Sequence, residues 1–288
     1  MAACVSFTHE GGIATVTLEH AGKFNAMSRG MWLQLRAIFL ELQHQATVRC
    51  VLVCGKDGNF CAGGDIAQYP EFRFDTVALR HFHEVEVWGA LQAMLDCDVP
   101  IVAQIEGNCM GAGVEIASCC DVRLASASAR FGAPIARLGF PMAPREAALV
   151  GQAVGSTTAR AMLLAAEVFD AHHMQGCGFL TRTVADGQTA HAALAMAQRV
   201  ASLAPQAARL NKQTLRAIFM PNSALGAVDC AQAAINTIAN AELPEQLAPP
   251  TPPVPNAAQA PGDPYAYAAS AEHREGIAAF LEKRTPRF

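Results

Sequence analysis

Apolar residues along the chain follow two spacings, one typical of strands and one typical of helices. Residues 5–7 and 13–18 flank Glu10-Gly11-Gly12, which predicts a β-hairpin at the N-terminus. Further short apolar runs predict buried strands, and these cover residues 51–54, 101–105 and 122–125.

Apolar positions three or four residues apart predict helices between and after these strands. Ser28 is a suitable cap for the first of them, which carries Met31, Leu35, Ile38 and Leu42 on one face. The other segments with this spacing cover residues 75–95, 114–118, 147–155, 157–166, 190–203, 205–219 and 272–283. Strands that alternate with helices predict an α/β fold with parallel pairing, so we expect a site at the strand carboxyl ends.

The last third of the chain differs from the rest, because its predicted elements are helical. We therefore expect a core domain over residues 1–200 and a helical C-terminal region over residues 201–288. Eight of the 16 prolines lie between residues 244 and 264, which predicts an extended connector at about 243–264.

Composition narrows the class of protein. The chain has 288 residues, of which 52% are hydrophobic and 16% charged, and this apolar excess favours burial between subunits. A net charge of −4 and only four lysines argue against a nucleic-acid partner. No basic region followed by an apolar stretch opens the sequence, and no long apolar run follows. We expect a cytoplasmic protein with no membrane partner, whose ten cysteines are reduced thiols.

Candidate chemistry lies in two glycine segments, each of which follows a predicted strand. Residues 60–65 are Phe-Cys-Ala-Gly-Gly-Asp, and residues 107–115 are Gly-Asn-Cys-Met-Gly-Ala-Gly-Val-Glu. Glycines at strand ends can turn backbone N–H groups outward, and converging N–H groups bind an anionic oxygen. Glu115 is predicted to lie in the first turn of the next helix, where the helix dipole favours a carboxylate. A helix-start carboxylate without a chemical role is the alternative for Glu115.

Three other motifs have simpler interpretations. The residues 111–116 lack the third glycine of a dinucleotide fingerprint, since Ile116 stands there. His172 and His173 diverge on a helix, which favours a surface turn over a metal pair. Cys61 has no histidine nearby in sequence to activate it as a nucleophile, so we expect it to pack. We predict no metal site.

The segments resemble the crotonase family, also called the enoyl-CoA hydratase/isomerase superfamily. The similarity extends over most of the chain in order and spacing. Its motifs are residues 23–27, 60–66, 101–121, 131–134, 138–139, 169–180 and 275–284. The resemblance implies a crotonase-like spiral of ββα units, a helical C-terminal oligomerisation region and a homotrimer or dimer of trimers.

The resemblance also implies roles for particular residues. The backbone N–H groups of Ala62 and Ala112 are expected to hold the thioester oxygen of an acyl-CoA, whose enolate charge they would stabilise. Other residues are expected to bind substrate or coenzyme A, with the terminal helix often coming from a neighbouring subunit. These are Lys23, Asn25, Ala62, Gly63, Gly64, Asp65, Ile66, Gly111, Ile135, Phe280 and Lys283. No cofactor is implied apart from the coenzyme A of the substrate.

One departure from the family pattern concerns proton transfer. Glu115 matches one of the two glutamates that hydratases use, but the other position, directly after the loop proline, is Ile135. Hydration needs one group to activate water and one to deliver a proton. Glu146 is a candidate replacement, with a helix-start carboxylate as its alternative role. His81, His83, Glu84 and Glu86 are further candidates, each of which we expect on a solvated helix face.

The predicted function is that of an enzyme acting on an acyl-CoA thioester through a stabilised enolate. Hydration of a 2-enoyl-CoA, or the reverse dehydration, is the leading reaction. Isomerisation, decarboxylation and thioester hydrolysis by a single carboxylate remain alternatives within the family. A noncatalytic acyl-CoA binder is the alternative from another class.

Overall fold

The computed structural model of the protein describes residues 3–219 and 263–288. Its strands are β1 (Cys4–Glu10), β2 (Ile13–Glu19), β3 (Cys50–Gly55), β4 (Ile101–Ile105), β5 (Asn108–Met110), β6 (Val122–Ser126), β7 (Arg130–Gly132), β8 (Val168–Asp170) and β9 (Arg182–Val184). Its helices are α1 (Arg29–His44), α2 (Thr76–His81), α3 (Trp88–Asp96), α4 (Ala112–Ser118), α5 (Pro144–Val154), α6 (Ser156–Leu164), α7 (Ala171–Gly176), α8 (Thr189–Ser202), α9 (Pro205–Phe219) and α10 (Ala271–Leu281).

Two sheets organise the described part of the chain. The larger has the order β1-β2-β3-β4-β6-β9, and the smaller has the order β5-β7-β8. Only β1 and β2 pair antiparallel in the larger sheet, as the predicted hairpin requires, while its other neighbours pair parallel. The predicted α/β architecture is therefore confirmed.

Apolar side chains cover both faces of the larger sheet. On one face, Leu52, Val102 and Leu124 pack against Ala193 and Ala197 of α8. The opposite face carries the main core, into which α1 buries its apolar stripe. Ser28 caps α1 as predicted, since its hydroxyl accepts a hydrogen bond from the Met31 N–H at 3.2 Å.

The helical stretch predicted over residues 75–95 is one continuous helical run with a wide turn inside it. It comprises α2, a π-helical turn at Phe82–Val87, and α3. A π turn inserts an extra residue into the helical repeat, so the side chains beyond it rotate to new faces. His83 and Glu86 lie in this π turn and are buried, which the helical spacing alone does not indicate.

Four short strands were not predicted. β5, β7, β8 and β9 have three residues each, which is too short for an alternating pattern to be recognised. Phe169 and Asp170 belong to β8, which pairs with β7. Asp170 caps α7, since its carboxylate accepts a hydrogen bond from the His173 N–H.

The terminal segment returns to the core. A Cβ on Gly276 of α10 would lie 2.2 Å from the Leu138 carbonyl, so only glycine permits this approach. The predicted connector at about 243–264 lies, except for its last two residues, outside the described residues. The boundary at residue 200 stays a prediction. No helix within residues 3–219 and 263–288 is long and apolar enough to cross a membrane.

Candidate active site

The two glycine segments lie against each other. Cys61 and Cys109 form a parallel bridge, in which the Cys61 N–H donates to the Asn108 carbonyl at 2.8 Å. A Cβ on Gly113 would lie 2.6 Å from the Cys61 carbonyl oxygen. Gly63 has a φ of 111° and Gly111 a φ of 47°, conformations that glycine adopts readily. The glycines are therefore needed both for close approach and for the turns.

The Ala62 N–H is not available to a ligand. It donates to the Phe24 carbonyl at 3.0 Å, so the prediction that Ala62 supplies an oxyanion donor is contradicted. The hydrogen bonds of the neighbouring segment around Met27 show which amide is available instead. Met27 bonds to the Gly63 carbonyl and to the Asp65 N–H, both at 2.8 Å. In a parallel bridge, the residue between the two bonded residues turns its own N–H away from the partner strand. Here that residue is Gly64, which lies between Gly63 and Asp65.

Two backbone amides remain open in this region. Within the described part of the chain, neither the Gly64 N–H nor the Ala112 N–H has an acceptor. Ala112 is the first residue of α4, and the first N–H groups of a helix have no partner inside it. The preceding amide is used, because the Gly111 N–H donates to the Gly132 carbonyl at 2.8 Å. Gly64 and Ala112 thus form the candidate donor pair.

A cavity of about 890 Å³ adjoins these amides. Every residue predicted for catalysis or substrate binding lines it, with the exception of Asn25. The Asn25 side chain is fully used elsewhere, since it donates to the carbonyls of Lys56 and Asn59 at 2.8 Å and accepts from the His20 N–H. Its predicted contact with substrate is therefore wrong, and its role is to hold the loop before Ala26 and Met27.

The mouth of the cavity carries charged and apolar residues. The Lys23 ammonium contacts both oxygens of Asp65 at 2.8 Å. Phe280 and Lys283, at the end of the terminal helix, line the cavity of their own chain. The single protomer therefore already brings these residues to the cavity, whereas the resemblance often places them on a neighbouring subunit.

Two carboxyl groups face the interior of the cavity. Glu115 lies in the first turn of α4, as predicted, and Glu146 lies in the first turn of α5, where it is only 2% exposed. Burial raises the pKa of Glu115 well above its usual value, and the nearby Glu146 charge raises it further. Burial also raises the pKa of Glu146, to about 8, against the opposing influence of Arg73. Both carboxyl groups therefore stay protonated to higher pH than an exposed glutamate does.

His83 connects Glu146 to a buried guanidinium. One Arg73 N–H lies 3.3 Å from His83 Nε2, and His83 Nδ1 lies 2.9 Å from Glu146 Oε1. Because arginine only donates, Nε2 must accept, so the proton is on Nδ1 and is donated to Glu146. Burial and Arg73 lower the pKa of His83 well below its usual value, which agrees with a neutral ring. This Arg73–His83–Glu146 relay favours the ionised form of Glu146.

The terminal segment holds Arg73 from the other side. Arg73 Nε donates to His273 Nε2 and a second Arg73 N–H donates to the Tyr267 hydroxyl, both at 3.4 Å. The His273 Nδ1 lies 3.0 Å from the Ala268 carbonyl, which places the His273 proton there. Residues 263–288 thus support Arg73, which lines the cavity, and also contribute Phe280 and Lys283 to the cavity.

The remaining candidates divide into buried and exposed groups. The solvated face predicted for His83 and Glu86 is wrong: His83 joins the relay, and the buried Glu86 pairs with Arg29. His81 is exposed as expected. Glu84 accepts from the Tyr265 hydroxyl at 2.6 Å and pairs with Arg145, so it does not reach the cavity. Sequence reasoning missed Arg73, whose only signal is its position between the two aromatic residues Phe72 and Phe74.

Cys61 packs as expected, whereas His172 and His173 lie in α7 rather than in a turn. Cys61 is fully buried, and burial raises the pKa of its thiol to about 12, so it is not a thiolate nucleophile at neutral pH. His173 stacks on Phe169 and bonds to Thr158 at 3.1 Å. Among the described residues no group of His, Cys, Asp or Glu is arranged to hold a metal ion.

Open amides beside two buried carboxyl groups define a class of site, one that can hold an anionic oxygen and move protons next to it. The chain belongs to the enoyl-CoA hydratase/isomerase family, whose model matches residues 8–243. It is an enzyme of the crotonase superfamily with the crotonase fold.

Individual relatives agree with this assignment. The chain is 29% identical to a 2,3-dehydroadipyl-CoA hydratase of Escherichia coli K12, covering 96% of this chain and 94% of the relative. It is 28% identical to a short-chain-enoyl-CoA hydratase of Clostridium acetobutylicum, covering 72% and 78%. A solved enoyl-CoA hydratase/carnithine racemase of Magnetospirillum magneticum superposes with a TM-score of 0.70 at 28% identity, covering 100% and 96%.

Proposed function

We propose that the protein hydrates a 2-enoyl-CoA, or catalyses the reverse dehydration, with Glu115 and Glu146 as its acid–base pair. The observation that carries the proposal is that two buried carboxyl groups line one cavity and that one of them, Glu146, accepts a hydrogen bond from His83. Two carboxyl groups whose environments separate their pKa values can divide the roles of acid and base. Because the relay from Arg73 favours the ionised form of Glu146, we assign the role of base to Glu146.

The proposed reaction runs through an enolate. Glu146 removes a proton from water as the water oxygen bonds to C3 of the substrate. The electron pair of the C2=C3 double bond moves into the thioester, and the Gly64 and Ala112 amides stabilise the resulting oxyanion. Glu115 then gives its proton to C2, and proton exchange restores the starting state. Water and acyl-CoA thus combine with no other reactant.

This assignment explains how Ile135 can occupy the position of the missing glutamate. Ile135 lines the same cavity and offers only hydrocarbon there. Glu146 reaches the cavity from α5, and its carboxyl group receives a hydrogen bond from His83. We infer that the second carboxylate is supplied by a different element rather than lost. Coenzyme A is proposed to bind along residues 62–66 with its phosphates near Lys283.

The test is an assay of the purified protein with crotonyl-CoA and a panel of branched and aromatic enoyl-CoAs. We expect loss of the conjugated chromophore without release of free thiol. The Glu146→Gln variant should lose about 10²–10⁴-fold in kcat, which is the usual contribution of a general base. Glu86→Gln is the matched control, because Glu86 is buried but does not line the cavity.

Other outcomes of this assay would replace the proposal. Thiol release would indicate a thioester hydrolase, and a shifted double bond without water addition would indicate an isomerase. Carbon dioxide released from a carboxylated acyl-CoA would indicate a decarboxylase. Binding of acyl-CoA without turnover would indicate a noncatalytic binder. Trimeric assembly and a cytoplasmic location stay predictions.

A further inference from the structure

The Tyr69 hydroxyl is a polar group in the cavity that the proposed reaction leaves without a role. Tyr69 lies in a 3₁₀ turn at Ile66–Glu71, is 8% exposed and lines the cavity. Buried tyrosine hydroxyls usually have a hydrogen-bond partner. Here no residue within 3–219 or 263–288 donates to this hydroxyl or accepts from it. A ligand that enters the cavity is therefore its available partner.

The hydroxyl lies next to one of the two open amides. A Cβ on Gly64 would lie 2.0 Å from the Tyr69 oxygen. Standard bond lengths put an amide nitrogen about 2.5 Å from the Cβ of the same residue, so the oxygen is within about 4.5 Å of the Gly64 nitrogen. A single acceptor located between the two groups can therefore lie within hydrogen-bond distance of both. Any side chain at residue 64 would displace the phenol.

The phenol ring is held on several sides. Its edges or face meet the rings of Phe72, Phe82 and Phe140 at centroid distances of 5.9, 6.4 and 6.1 Å. The Arg73 guanidinium lies 4.4 Å from the ring centroid. A donor fixed in this way needs no reorganisation when charge develops beside it, which is the condition for electrostatic catalysis.

The hydroxyl also keeps its proton. Burial raises the pKa of Tyr69 above its ordinary value of 10.0, although Arg73 opposes this change. At neutral pH the group is therefore a hydrogen-bond donor rather than a phenolate. A neutral donor is suited to an oxygen that becomes negative during the reaction.

We propose that Tyr69 is a further catalytic residue, whose hydroxyl donates a third hydrogen bond to the thioester oxygen beside the Gly64 and Ala112 amides. This inference rests on the proposed enolate reaction. The bond strengthens as the oxygen gains charge, so it lowers the energy of the enolate more than that of the bound substrate. No proton is transferred, and the hydroxyl returns unchanged.

Tyr69→Phe tests the proposal, because it removes the oxygen and keeps the packed ring. We expect kcat and kcat/KM to fall together by about 10²-fold, the usual cost of one oxyanion donor. The dissociation constant of butyryl-CoA, which is saturated and has no double bond to hydrate, should change only a few-fold. Tyr265→Phe is the matched control, since that hydroxyl bonds to Glu84 and does not line the cavity.

Infrared difference spectra of bound butyryl-CoA with a ¹³C-labelled carbonyl locate the hydrogen bond directly. Binding to the wild type should lower the carbonyl frequency, and Tyr69→Phe should return part of that shift while Tyr265→Phe returns none. An unchanged band in Tyr69→Phe, with or without a loss of turnover, would overturn the inference and leave the proposed reaction intact. A wild-type band at its solution frequency, together with no hydration, would overturn the proposed function itself.

Discussion

The two sides of the cavity are built in different ways. On one side, open amides follow from two short glycine segments that end strands of parallel pairs, so backbone geometry alone creates them. On the other side, Glu146, His83 and Arg73 come from three separate parts of the chain, and the terminal segment bonds to Arg73. The comparison suggests that the amide side can tolerate few backbone changes, whereas the carboxylate side can acquire its acid or base from another element.

Among the substitutions proposed below, we expect the largest loss of kcat at Glu115, where the amide side and the carboxylate side of the cavity meet. Glu115 sits on the helix that also presents the Ala112 amide, so Glu115→Gln should remove proton transfer and leave the amides in place. We expect kcat to fall by about 10²–10⁴-fold. Calorimetry should give a dissociation constant for butyryl-CoA within a few-fold of the wild-type value. Unchanged turnover would exclude Glu115 from the mechanism.

The amide side can be tested by a pair of alanine and glycine exchanges. Gly64→Ala introduces a methyl group that must displace the Tyr69 hydroxyl, because the two would lie 2.0 Å apart. We expect a loss of about 10²-fold in kcat/KM. Ala62→Gly keeps the bond of that amide to Phe24 and should change kcat/KM only a few-fold. A larger loss for Ala62→Gly than for Gly64→Ala would contradict the choice of donor.

The carboxylate side of the cavity can be tested through the dependence of kcat/KM on pH. Since ionised Glu146 is the proposed base, kcat/KM should rise with pH and level off above about pH 8. Arg73 lowers the pKa of Glu146, so Arg73→Gln should move this midpoint to higher pH and reduce activity near pH 7 by about tenfold per unit moved.

Arg29→Gln provides the control for this shift, because Arg29 pairs with Glu86 outside the cavity. The control should keep the wild-type midpoint. A melting curve of each variant checks that loss of the buried Arg73 has not unfolded the protein at the assay pH. A midpoint that stays fixed in folded Arg73→Gln would contradict the relay.

The smallest change in kcat is expected for a substitution of Ile135, which occupies the position of the family's second glutamate. If Glu146 already supplies that carboxylate, Ile135→Glu in the wild-type background should not increase kcat. The same substitution should recover part of the activity lost in Glu146→Gln, since Ile135 lines the same cavity. A large gain from Ile135→Glu alone would show that the cavity lacks a second acid–base group.

The sequence predicted those features that depend on neighbouring residues. The hairpin, the capped helix α1, the parallel strands and the position of Glu115 at a helix start all follow from local spacing. Strands of three residues and the π turn at Phe82–Val87 leave no such pattern. His83 lies in that turn and is buried, so the solvated face predicted for it is wrong.

The two wrong site assignments have a related physical reason. Ala62 and Asn25 each lie inside a motif of the family, but their polar groups are used by distant backbone atoms. A hydrogen bond between Ala62 and Phe24 cannot be read from either segment alone. Arg73 was missed because its partners His83 and His273 become neighbours only in the folded chain.

A crystal structure of the wild-type protein with bound butyryl-CoA tests the central claim most directly. The account predicts that the thioester oxygen lies at hydrogen-bond distance, about 3 Å, from the nitrogens of both Gly64 and Ala112, with C2 and C3 between Glu115 and Glu146. A thioester oxygen bound elsewhere, or an acyl chain that leaves either carboxyl group out of reach of these carbons, would contradict it.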